Sequence, residues 1–90
     1  MRADKQKIAR LLKTARGQID GVLRMVEEDQ YCIDISNQIM AASAILRKAN
    51  KEIIRAHLEG CVQEAFVSGQ SAEIDEKVDE ILSVMDSFAK

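Results

Sequence analysis

The chain has 90 residues, of which 47% are hydrophobic, 31% charged and only 3% aromatic, with no proline and a formal net charge of −2. That length fits one small domain, the apolar content excludes a disordered chain, and so few large side chains exclude a three-layer core. The charge is unevenly spread, at +5 over residues 1–24, −2 over 25–61 and −5 over 62–90, so an acidic chain still carries a basic face.

The abundance of Ala, Ile, Leu, Lys and Glu favours long helices. Ile8, Leu11, Leu12, Ala15, Ile19, Val22, Leu23 and Val26 follow one another at steps of one, three or four, a single helical stripe. They predict a first helix over about residues 4–28, ending near "EEDQ". A second helix is expected over about 32–67. Ile35, Ile39, Ala42, Leu46, Ala49, Ile53 and Ala56 mark its stripe, and Ile33, Met40, Ile45, Ile54 and Leu58 widen it beyond one face. Gly60 is a weak breaker, costing about 1 kcal/mol relative to alanine, so the helix is expected to run through it. "SGQSAE" reads as a loop with Gln70 or Ser71 as cap, and Glu73 and Ile74 open a third helix. That helix, over about 72–88, places Ile74, Val78, Ile81, Leu82, Met85 and Phe88 on one side. The expected fold is all-α, one three-helix domain over residues 1–90 with a long second helix.

A helix of about 35 residues would extend roughly 50 Å. Two shorter helices cannot cover an apolar surface of that length on two faces. A homo-oligomer is therefore expected, at least a dimer with the long helices side by side. The competing expectation is a monomeric bundle with a break inside the second segment.

The only histidine, His57, lies four residues before Cys61 in "HLEGC", and the other cysteine, Cys32, lies in "DQYCID". No apolar run approaches the roughly 20 residues that span a membrane. The N-terminal "MRADKQKIAR" lacks a signal-peptide core, so a cytoplasmic protein with reduced thiols is expected. At a spacing of four, His57 and Cys61 share a helix face, about 5–6 Å apart at Cβ. Cys32 is roughly 37 Å away if both lie on one unbroken helix. An antiparallel second copy brings it back, giving two sites per dimer about a two-fold axis. Two thiolates and an imidazole suit Cu(I), with Zn(II) next. The plain alternatives are a small buried Cys32 and a packing Tyr31.

The run "GQIDGVLRMVEEDQYCIDISNQIMAASAIL" followed by "HLEGCVQEA" resembles the copper-sensitive operon repressor family of bacteria, over nearly the whole chain. The resemblance implies dimers that pair into tetramers. It also implies a repressor that binds operator DNA without metal and leaves it when Cu(I) binds, one ion per protomer. Cys32, His57 and Cys61 match the copper-sensing set, whereas a persulfide-sensing branch keeps the two cysteines and lacks the histidine. A repressor sensing persulfide or oxidant through Cys32 and Cys61 is thus the alternative. Tyr31 matches the family's outer partner of the metal-bound histidine. A glutamate on the third helix is the other partner. An ungapped count from Cys61 reaches Lys77, and a three-residue longer loop puts Glu80 in that role.

Basic residues supply a DNA face. Lys5, Arg10, Lys13 and Arg16 lie on the first helix, and Arg47, Lys48, Lys51 and Arg55 on the second. Such strips suit phosphate contact with strong salt dependence. Gln18 joins them as a DNA contact by resemblance alone. The stretch "LLKTARGQ" is less basic than the family's usual approach to its Gly-Gln. No acid/base pair, phosphate loop or open catalytic metal pattern is present, so no enzymatic activity is expected.

Overall fold

The computed structural model describes residues 1–68 and 71–89. The described residues form three helices, α1 at Lys5–Glu27, α2 at Cys32–Ser68 and α3 at Ser71–Ala89. Among the described residues no helix is long and apolar enough to cross a membrane. α2 runs through Gly60 without a break, as expected, which removes the one feature that a broken second segment required. The loop expected at "SGQSAE" is shorter, because Ser71 and Ala72 are already helical. Of the two residues offered as cap, Ser71 is the first residue of α3 and Gln70 lies outside the described residues, as do the side chains of Ile74, Met85 and Phe88.

The chain divides into two compact units, residues 4–52 and residues 1–3 with 53–90. In the first, α1 and the opening half of α2 form an antiparallel hairpin. Asp4 caps α1, its Oδ1 accepting from the backbone N–H of Gln6 at 3.0 Å and of Lys7 at 3.3 Å. α1 ends in a Schellman-type turn. Gln30 N–H donates to the Met25 carbonyl and Asp29 N–H to that of Val26, with Asp29 in the left-handed region at φ 52°. Ile8, Ala15, Ala42 and Ala49 form the buried seam. Three of the four are alanines, so the two backbones approach closely. Lys7 closes the open end on Glu52 at 3.3 Å.

The second unit holds the rest of α2, α3 and the N-terminal arm. Gly60 and Ile81 are buried there. The arm lies against α2, where the Arg2 guanidinium pairs with Glu64 and its side chain passes over Gly60.

Large apolar side chains stay exposed on the single chain. On α1 these include Leu12, Ile19, Leu23 and Val26, and on α2 Ile33, Met40, Leu58 and Val62. On α1 they lie beside the buried stripe and on α2 on the opposite face from it, and none of the described residues covers them.

Candidate metal centre

Cys32 is the first residue of α2, and His57 and Cys61 sit in its second half. Both cysteines are free thiols, Cys32 exposed and Cys61 half-buried. His57 is half-buried, and its Nε2 is enclosed without a hydrogen-bond partner. An enclosed polar atom left unpaired costs about 1–3 kcal/mol. A metal ion satisfies such a nitrogen as well as a hydrogen bond does. His57 and Cys61 share one face of α2 by their spacing of four. Among the described residues of one chain, no three His, Cys, Asp or Glu side chains gather as a metal cluster. The donor types fit a soft ion, and the described residues of one chain do not gather them.

Tyr31 stands immediately before α2, where its carbonyl accepts from Ile35 N–H at 3.1 Å and its side chain is exposed. It therefore travels with Cys32 and not with His57. Glu80 lies on α3, exposed, 3.9 Å from Lys77 one turn earlier. The two residues between which the sequence left the glutamate role are thus ion-pair partners of each other.

The cations divide cleanly. Lys5, Arg10, Lys13 and Arg16 are all exposed on one broad side of α1. Arg10 and Lys13 border an open groove along that helix with Gln6, Ala9 and Thr14. Arg47, Lys48, Lys51 and Arg55 are exposed on α2, Arg55 standing 3.9 Å from Glu59. Gln18 is set apart. Its position shares the α1 side of Leu11, Ala15 and Val22, and its Oε1 is enclosed without a partner. A helical period of 3.6 already separates Gln18 from the cations, so this placement was readable in the sequence.

Long helices, two thiols and an imidazole on one of them, and exposed cationic strips define an all-α class of chain that carries soft donors. The sequence profile of the family described as metal-sensitive transcriptional repressors matches residues 4–87. The copper-sensing transcriptional repressor CsoR of Mycobacterium ulcerans is 44% identical over 71 residues, 78% of this chain and 61% of that protein. The chain thus spans about three-fifths of that relative's length. CsoR of Bacillus subtilis is 34% identical over 97% of this chain and 83% of its own length. Two solved structures are similar in fold. One is the copper-sensing repressor CsoR with Cu(I) from Geobacillus thermodenitrificans, with TM-score 0.79 and 34% identity over 100% of this chain and 94% of that one. The other is the nickel-responsive transcriptional regulator InrS, with TM-score 0.80 and 26% identity over 98% and 96%. The chain belongs to the metal-sensitive transcriptional repressor family, a family of regulators and not of enzymes.

Proposed function

We propose that this chain is a Cu(I)-responsive transcriptional repressor that binds operator DNA when metal-free and leaves it when loaded. The observation that carries the reading is that no three His, Cys, Asp or Glu side chains gather among the described residues of one chain, although Cys32, His57 and Cys61 are a soft-ion donor set. An antiparallel second copy supplies the missing thiol, giving one site per protomer and two per dimer. The exposed apolar stripes on α1 and α2 support burial against further copies, in a dimer and then a tetramer made of two dimers. One domain spans residues 1–90, and the protein works in the cytoplasm, where its thiols stay reduced.

The bound ion supplies a bridge between two chains. Cys32 of one copy and His57 and Cys61 of the other hold it through two thiolates and one imidazole. Cu(I) suits this set better than Zn(II), which takes four ligands in a closed site. A nickel sensor is disfavoured by the single histidine. Tyr31 arrives with Cys32 of the second copy, and Glu80 turns from Lys77 toward the ring. Together they fix the ring through its other nitrogen. The assembly held in that shape sets its strips of Lys5, Arg10, Lys13 and Arg16, and of Arg47, Lys48, Lys51 and Arg55, out of register with the duplex. Gln18 is a further DNA contact in this reading, carried by the resemblance of Gly17-Gln18 to the family alone.

The test is an anaerobic Cu(I) titration of reduced protein against a chromophoric chelator, with Cys32→Ala alongside. One tight ion per chain, lost in the variant, supports the reading. Binding indifferent to Cys32 overturns it and leaves cross-linking of Cys32 to Cys61 by persulfide as the signal to test. His57→Ala is expected to retain weakened Cu(I) binding and to stay on operator DNA in copper, read by fluorescence anisotropy. Normal release would remove His57 from the coupling.

A further inference from the structure

The metal reading leaves one part of "HLEGC" unexplained, the glycine. Gly60 is buried in the interior of α2, where glycine is unfavourable by about 1 kcal/mol against alanine. The structure gives it a reason. A Cβ at Gly60 would run into the Arg2 side chain, which lies across the helix there and pairs with Glu64. His57, Gly60, Cys61 and Glu64 follow at steps of three, one and three, so all four share one face of α2. The N-terminal arm is therefore laid along the face that carries two proposed metal ligands.

We propose that Arg2 is a positioning residue for this site, whose guanidinium holds Glu64 neutralised beside Cys61. The inference rests on the Cu(I) reading above. Two thiolates around one monovalent ion leave a net charge of −1. Glu64 stands one turn from Cys61, about 5–6 Å away at Cβ, and an unpaired carboxylate there opposes that charge. Arg2 offsets it. The pair is exposed on both sides, at 41% and 54%, so it contributes little to folding, and its effect falls on the ion. Gly60 provides the space in which the guanidinium reaches Glu64.

The experiment compares wild type, Arg2→Gln, Arg2→Lys, Glu64→Gln and the double variant Arg2→Gln/Glu64→Gln. Cu(I) affinity is read by chelator competition at low and at 1 M salt. In parallel, ¹⁵N-glycine labelling gives four backbone amide signals, one per glycine. Arg2→Gln is expected to weaken Cu(I) about threefold to tenfold at low salt, with the difference shrinking at 1 M. Arg2→Lys retains most of the affinity, and the double variant returns close to wild type, which a merely structural role would not produce. Gly60→Ala is expected to unseat the arm and weaken Cu(I) to the same degree. In the metal-free protein, Arg2→Gln shifts the Gly60 amide and leaves those of Gly17 and Gly21 in place. Tight wild-type binding that Arg2→Gln does not change overturns the inference and leaves the Cu(I) reading standing. Wild type that takes no Cu(I) overturns that reading and the charge effect together. An unmoved Gly60 amide overturns the docked arm whatever the copper result.

Discussion

Asp29 is the one described non-glycine residue with positive φ, at 52°. Its place in the turn after α1 is where glycine is the usual choice, because a Cβ in the left-handed region is strained. Asp29→Gly is expected to stabilise the chain by about 0.5–1 kcal/mol, seen as a higher urea midpoint at unchanged slope. A lower midpoint would mean that the Asp29 side chain contributes more than its backbone strain removes. Asp4 at the other end of α1 is the opposite case. Its carboxylate accepts from two backbone N–H groups, so Asp4→Ala is expected to cost about 1 kcal/mol. The residues proposed to bind metal stand out in the sequence by type and spacing. The state of their surroundings does not. Whereas the Lys77–Glu80 ion pair follows from an i,i+3 spacing on one helix, the enclosure of the unpaired His57 Nε2 depends on how helices pack, which a linear pattern does not contain. Arg2 was invisible for the same reason, since its partner lies 62 residues away.

The helices were the most legible part, because a stripe repeated over many turns fixes an element more firmly than any one residue does. α1 and α2 match their expected ranges to within a residue at each end. α2 confirms that a single glycine does not stop a long apolar helix. α3, expected over about 72–88 and found at Ser71–Ala89, matches as closely, and only the loop before it is shorter than its serines and glycine suggest. The seam between α1 and α2 relies on small side chains, with Ala15, Ala42 and Ala49 all buried. There is no room for bulk where the backbones approach. Ala49→Leu is expected to overpack that seam and destabilise by about 1–3 kcal/mol, lowering Tm in a thermal scan. If Tm is unchanged, the seam is looser than the burial of these alanines indicates.

At the scale of the assembly, the single chain leaves too much apolar surface in water and keeps its soft donors apart. One arrangement answers both facts, a second copy running the other way along α2. It makes a prediction that no single-chain site shares. A Cys32→Ala chain keeps His57 and Cys61, while a His57→Ala/Cys61→Ala chain keeps Cys32. Neither alone builds a complete site. Unfolded together in equal amounts and refolded, half of the dimers pair one chain of each kind, and each of these restores one of its two sites by isologous symmetry. The mixture is therefore expected to bind about one quarter of the wild-type Cu(I) with wild-type affinity. The chelator competition reads this directly, and omitting the unfolding step supplies the control. The quarter arises only if the ligands come from two chains. A mixture that binds no more tightly than its separate components would mean that Cys32 does not join the His57/Cys61 pair of another copy. The exposed stripes on α1 and α2 would then have to serve an assembly with no part in holding the ion.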